Sequence, residues 1–291
     1  MLKSIFYALF FTLLTLSAQA QISTPAPSPL GSITQKVGLA DVKIEYSRPS
    51  AKSRPIFGTT SKHVVPFDQV WRTGANGATT INFSKEMSVN GTKVPAGTFA
   101  IYTIPGAAEW TIVLNKNITL GGNTEGYKAE EDVARFKVAP TKLNDKIETF
   151  TIHLASLTEN TATVEMLWEN TKVGFVVAHD AETEIMAQVA KFEKNPMSSL
   201  VSNYWNASQY YYNNNKDMQK ALEWVNKAIE YRGGEPPYWY LRHKSLVQAK
   251  LKDYKGAIET AKTSMEKAKA EGDTAYENAN KNSIEEWSKM K

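Results

Sequence analysis

Hydrophobic and polar positions alternate with two different periods along the 291-residue chain, and the change falls near Asp180. Before it the period is two. Val42, Ile44 and Tyr46 interleave with Lys43, Glu45 and Ser47, as in a strand with one face buried. Ile81 and Phe83 continue the pattern. Met87 and Val89 are followed by Asn90-Gly91 and then by Lys93 and Val94. Asn-Gly accepts positive φ at both central positions, so this run predicts a tight hairpin. Phe99, Ile101 and Thr103 follow, then Trp110, Ile112 and Leu114, then segments at 133–138, 150–154, 164–168 and 173–177. About nine short antiparallel strands separated by turn residues predict an all-β sandwich or open barrel. Two connections are long. Residues 48–69 carry Pro49, Pro55, Gly58 and Pro66, and residues 115–131 carry Gly121, Gly122 and Gly126. Loops of that length in a compact domain are usually functional or disordered. The apolar Ile56, Phe57, Val64, Val65 and Phe67 argue that the first packs down.

After Asp180 the period becomes helical. Asp180 is placed to cap a helix with Glu182 and Glu184 in its first turn, and Ile185, Val189 and Phe192 then share a face. Asn195-Pro196 interrupts the chain. Five more helical segments follow, at 199–212, 217–231, 236–251, 253–270 and 274–290, with Gly233-Gly234 stopping one and Pro236-Pro237 starting the next. Trp205, Tyr212, Ala221 and Ala228 are spaced as in a tetratricopeptide repeat. A second unit is suggested by residues 250–259, with Ala257 lying 36 residues after Ala221, close to the ~34-residue period of such arrays. Leu241 stands where the second unit would carry an aromatic. The fold class expected is therefore α+β as two separate domains, an all-β sandwich followed by an α-helical array like tetratricopeptide repeats.

The first residues obey neither period. Lys3 precedes an apolar run at 5–16, and Ala18-Gln19-Ala20 then supplies the small residues read by a signal peptidase. The run is shorter than the roughly 20 residues of a spanning helix. The expected division is thus a signal peptide at 1–20, a leader at 21–31 with Pro25, Pro27 and Pro29, a β domain at 32–180 and a helical domain at 181–291. This implies an exported protein, periplasmic or secreted, with no membrane span in the mature chain. The chain has no cysteine, which excludes disulfides, thiolate metal sites, thiol nucleophiles and a lipoprotein anchor. Its formal charge of +4 is spread without long like-charge blocks, so no nucleic-acid footprint is present.

Certain residues between the strands resemble a known family. Tyr46-Ser47-Arg48-Pro49, Arg54, Ile56-Phe57-Gly58, Val65-Pro66 and Val70-Trp71-Arg72-Thr73-Gly74-Ala75-Asn76 are similar to the DUF2911 family. The likeness continues through Val94-Pro95-Ala96-Gly97-Thr98, residues 102–106, Trp110, Asn115-Lys116, Tyr127, Asp132, Arg135 and Trp168-Glu169. The resemblance implies a domain of unknown function found in secreted and envelope proteins of Bacteroidetes-type, Gram-negative bacteria. It brings no activity or cofactor with it. Two positions depart from the family pattern: Gly77 replaces a glutamate, and Leu120 a tryptophan.

The densest chemistry lies at Trp71, Arg72 and Asn76, joined by Arg48 and Arg54 from the first long loop. A guanidinium offers paired donors to a carboxylate or phosphate, and an indole offers a stacking face. These five are the candidate ligand-binding residues, for a small anionic or glycan ligand. The opposed reading is structural, with Trp71 in the core and Arg72 paired to a carboxylate such as Asp68, and it is the reading expected for Arg72. His63, His153, His179 and His243 are not paired at metal-ligand spacing, so neither a metal nor another cofactor is expected. No catalytic residue stands out. Gly-x-Ser-x-Gly is absent, and the acidic run Glu130-Glu131-Asp132 reads as a solvated loop. In the helical half, three consecutive tyrosines cannot all face inward, since helical neighbours are 100° apart. Tyr210, Tyr211 and Trp239 are the candidate contacts for a protein or peptide partner. The function expected is a non-catalytic binding protein. The alternative is an envelope hydrolase for a glycan or ester, with its site between the loops at 48–69 and 115–131.

Overall fold

The computed structural model describes residues 24–122, 124–194 and 200–290. The expected signal peptide at 1–20 and the Asn195-Pro196 interruption lie outside the described residues. The chain divides into two compact units, Met1–Ala181 and Glu182–Lys291.

The first unit is built of strands. A six-stranded antiparallel sheet has the order β1 (Leu30–Val37), β2 (Ala40–Ser47), β5 (Thr79–Phe83), β8 (Gly97–Ile104), β9 (Trp110–Asn115) and β10 (Asp132–Val138). A four-stranded antiparallel sheet has the order β11 (Thr141–Ala155), β12 (Thr161–Ala178), β6 (Met87–Val89) and β7 (Thr92–Val94). A short parallel pair, β3 (Phe57–Gly58) and β4 (Val65–Pro66), forms within the first long loop. Buried side chains from both large sheets make one continuous core. Val42, Ile44, Ile81, Phe83, Phe99, Ile101, Ile112 and Leu114 come from the first, and Val89, Val94, Phe150, Ile152, Val164 and Trp168 from the second. Each set is the inward half of a period-two strand.

Among the described residues twelve strands form, where ten segments were named and about nine strands expected. The additions are the edge strand β1, which takes up Leu30 and Gly31 from the expected leader, and the two-residue β3 and β4, too short to show a period. Two segments expected to be separate, 164–168 and 173–177, are one strand, β12. Its inward residues run Val164, Met166, Trp168 and then Val173, Phe175, Val177. The phase changes because Glu169 has φ of 53° and the pairing with β11 shifts register there, as in a β-bulge. The Asn90-Gly91 hairpin forms as expected. Met87 pairs with Val94 and Val89 with Thr92, and both loop residues have positive φ, 47° and 88°.

The second unit contains six helices among the described residues: α1 (Ala181–Lys194), α2 (Leu200–Asn213), α3 (Met218–Arg232), α4 (Tyr238–Lys250), α5 (Tyr254–Ala270) and α6 (Thr274–Trp287). Asp217, Asp253 and Asp273 cap α3, α5 and α6 by accepting hydrogen bonds from first-turn N–H groups. Small residues sit at the buried crossings, among them Ala221 and Ala228 of α3 and Ala257 and Ala261 of α5, all fully buried. Aromatic rings fill the space beside them, with Tyr211 edge-on to Trp224 and Trp205 stacked on Tyr240 at 4.0 Å. The apolar face of α1, carrying Ile185, Met186 and Val189, belongs to this helical cluster.

That membership motivates the first prediction. Removing the chain after Ala181 takes no side chain from the β core. A fragment ending there is expected to show a β-type circular dichroism spectrum and cooperative melting. A spectrum typical of unfolded chain would contradict the division.

Candidate ligand-binding site

Adjacent residues in an extended segment point to opposite sides, and at Trp71 and Arg72 this decides both roles. Trp71 forms an antiparallel bridge with Thr103, with N–H to O distances of 2.8 and 2.9 Å in the two directions. Its indole turns inward and is 8% exposed. It stacks on Trp168 at 5.9 Å, meets Phe57, Phe150 and Trp110 edge-on, and donates its Nε1 proton to the Gly74 carbonyl at 3.1 Å. Trp71 is therefore core, and it presents no face on which a sugar could stack.

Arg72 points the other way. The bridge register sets it across from Tyr102 on the outer face of the six-stranded sheet. There Ala100, Tyr102 and Val113 form a second small apolar cluster, covered by Val70, Ala78, Leu120 and Tyr127. The guanidinium is half-buried against the second long loop. A Cβ added at Gly122 would stand 3.4 Å from Arg72 Nη1, so a side chain at 122 would crowd it. The expected ion pair with Asp68 does not form. Asp68 is exposed, and its N–H donates to the Pro105 carbonyl at 2.8 Å. Among the described residues Arg72 makes no ion pair, and its Nε is buried without a hydrogen-bond partner. Burial alone lowers its pKa from the usual guanidinium value.

The turn that presents Arg72 is tightly fixed. Thr73 and Asn76 have φ of 57° and 59°, uncommon for any residue other than glycine and strained for a β-branched one. Thr73 is fully buried, and its hydroxyl contacts the Trp71 carbonyl at 3.3 Å and Thr103 Oγ1 at 3.1 Å. Asn76 braces this geometry. Its Nδ2 donates to the Ser28 carbonyl and to Ser47 Oγ, at 3.2 and 3.1 Å.

The other two arginines hold the fold. Arg48 donates to the Phe150 carbonyl and Thr151 Oγ1, and Arg54 to the Ala51 and Ser50 carbonyls. Those partners lie on β11 and within the first long loop, whereas Arg72 lies against Gly122 of the second, so the three guanidinium groups do not converge. The two long loops also part company. The first sends Ala51, Ile56 and Val65 into the main core, whereas the second lies over the opposite face of β8 and β9.

Residues that the sequence offered only as family motif or as solvated loop line the same outer face. Tyr102 is fully buried, and its hydroxyl donates to the Asn117 carbonyl at 2.8 Å. Burial, aided by the charge of Glu131, pushes its pKa up to about 12. Tyr127 donates to Asp132 at 2.8 Å and accepts from Arg135 at 2.8 Å. Burial and then Asp132 raise its pKa to about 12, although Arg135 opposes the shift. Asp132 also accepts from Asn115 Nδ2 at 2.8 Å. This network anchors the end of the loop. Glu131 Oε2, like Arg72 Nε, is buried without a partner, and no other side-chain polar atom of the described residues shares that state.

The profile of the DUF2911 family, described as proteins of unknown function, matches residues 28–177. The chain belongs to this family. The matched span contains Arg72, Tyr102, Tyr127, Glu131 and Asp132, and stops short of the helical unit. No curated protein and no solved structure matches the chain.

Other candidates fall outside the site. His153 and Lys172 both bond Glu165 on the open face of β11 and β12, each at 2.9 Å. Among the described residues no group of three or more side chains is arranged to hold a metal ion, and no helix is long and apolar enough to cross a membrane. Of the expected partner contacts, Tyr211 is buried and packs on Trp224, Tyr210 is half-buried, and Trp239 is 39% exposed. Tyr211 is thus a packing residue, in keeping with the 100° step between neighbours.

Proposed function

We propose that this DUF2911 protein is an exported, non-catalytic binding protein whose β unit captures a small anionic ligand at Arg72. The helical unit serves as an interaction array for a protein or peptide partner. The observation that carries the reading is the state of Arg72, a half-buried cation that makes no ion pair among the described residues and whose Nε is buried without a hydrogen-bond partner there. A guanidinium cannot shed its charge. Holding one partly desolvated and unpaired is costly, and a bound anion offsets that cost with paired, charge-assisted hydrogen bonds. Export is supported by the basic start, apolar run and Ala18-Gln19-Ala20 of the leader. The array reading is supported by the 36-residue offset that relates Ala221 to Ala257 and Asp217 to Asp253, each pair at corresponding points of α3 and α5. A two-sheet sandwich is supported by the core shared between the large sheets.

Thermal melting of the full chain in increasing acetate, measured beside Arg72→Gln, tests the ligand reading. Acetate is expected to raise the melting temperature of the wild type in a saturable way, and to leave the variant unchanged. Equal responses of the two proteins would sink the proposal.

A further inference from the structure

We infer that the partner of the helical unit presents an acidic segment, and that Arg242 on α4 receives one of its side-chain carboxylates. The inference rests on the reading of this unit as an interaction array and names the chemistry that reading leaves open.

Arg242 is half-buried, and burial holds its pKa below the usual guanidinium value. One corner of the guanidinium is fixed by α6. Nη1 donates to Ser283 Oγ at 3.0 Å and meets Asn280 Oδ1 at 3.5 Å, and the group lies 6.0 Å from the centre of the Trp287 ring. These three neighbours are neutral and themselves buried. Among the described residues Arg242 makes no ion pair, and its Nε and Nη2 make no hydrogen bond. Neither atom is enclosed as Arg72 Nε is. The Nε–Nη2 edge therefore opens to solvent, in the fork geometry that accepts a carboxylate by two parallel hydrogen bonds.

The charges around this edge decide the sign of the partner. α4 carries Arg242, Lys244 and Lys250 and no acid, and α2 carries no charged side chain. α6 carries Glu277, Glu285 and Glu286 beside Lys281, and none of these acids pairs with Arg242. Lys250 donates to the neutral Asn215 at 3.0 Å and lies over the Tyr212 ring. Trp239 is 39% exposed and neighbours Arg242 one turn earlier on α4. The surface thus offers an aromatic face, an open guanidinium edge and flanking lysines. An acidic segment with apolar residues between its carboxylates answers all three, whereas a basic segment meets like charges.

Calorimetric titration of the full chain decides the matter. The probes are short capped peptides in which leucine alternates with glutamate, glutamine or lysine, and the glutamine peptide with a free C-terminal carboxylate. The glutamate peptide is expected to bind about tenfold more tightly than either glutamine peptide, the scale of one hydrogen bond to a charged group. Arg242→Gln keeps a donor toward Ser283 and is expected to remove that advantage. Arg242→Lys keeps the charge without the fork and should retain only part of it. Melting temperatures without peptide check folding, and where Arg242→Gln is not folded the lysine variant decides alone. If peptides bind but glutamate gives no advantage, or if its advantage survives both variants, the acidic-segment inference is wrong and the array reading stands. Arg242-dependent binding of the free-terminus glutamine peptide alone would also overturn it, by assigning the edge to a chain terminus. If no peptide binds, both readings fall.

Discussion

Trp71→Ala is expected to cost the β unit about 3–5 kcal/mol, the range for removing a large aromatic from a packed core. Trp71 touches four other rings, Phe57, Trp110, Phe150 and Trp168, which come from β3, β9, β11 and β12. It therefore joins the two large sheets to the folded-in first loop. Alanine would leave a cavity between them and strip the Gly74 carbonyl of its indole donor. Because that carbonyl lies in the turn behind Arg72, ligand capture should weaken along with stability. The melting temperature of the β unit should fall on the order of 10 °C. A shift of only a degree or two would show that the ring cluster contributes little to joining the sheets.

The helical unit is expected to lose stability in mild acid through His243. This residue is 7% exposed, wedged edge-on between Trp205 and Tyr212. Its Nε2 lies 2.9 Å from Ser208 Oγ, and that hydroxyl gives its single proton to the Ala221 carbonyl at 2.7 Å. The imidazole must then be the donor, carrying its proton on Nε2. Burial pushes its pKa down from 6.5 to about 4, although the Ser208 contact works the other way. Cations lie close to this packing, with Arg232 over Tyr240 and Lys250 over Tyr212 and Arg242 and Lys244 next in sequence. Above pH 6.5 the imidazole is neutral in both states and costs nothing. Between 6.5 and 4 the unfolded chain binds the proton and the folded chain does not, so stability falls as the pH is lowered. The full loss, about 3 kcal/mol, is reached near pH 4. His243→Gln keeps a donor toward Ser208 and removes the titration. Helical unfolding free energies at pH 7 and pH 4.5 should therefore converge in the variant relative to the wild type. Parallel losses in the two proteins would contradict the assignment.

Much of the architecture was legible because it rests on local chemistry. Period-two runs such as Val42, Ile44 and Tyr46 can bury one face only as strands. Asn90-Gly91 accepts the positive φ that a two-residue hairpin needs, and Asp217 and Asp253 cap helices wherever their neighbours are helical. Elements set by distant partners were not legible. β3 and β4 exist because residues 57–58 and 65–66 meet across a loop, and β12 stays continuous because a bulge at Glu169 corrects its phase against β11. The site divides along the same line. Trp71 and Arg72 were expected to act together, but successive residues of an extended segment face opposite sides, so one is core and the other is not. That Arg72 would face Gly122 and not Asp68, or that Glu131 would border the same tyrosine, depends on where residues 116–131 cross the sheet. Nothing within a few residues of Arg72 encodes that path.

The central claim is that Arg72 is kept for a ligand and contributes nothing to holding the fold. The unfolding free energy of Arg72→Gln, compared with wild type in ligand-free buffer, tests it most directly. The account predicts a variant at least as stable as the wild type, because no ion pair is broken and a partly desolvated charge is removed. A loss of about 3–5 kcal/mol, the size expected for breaking a buried ion pair, would contradict it.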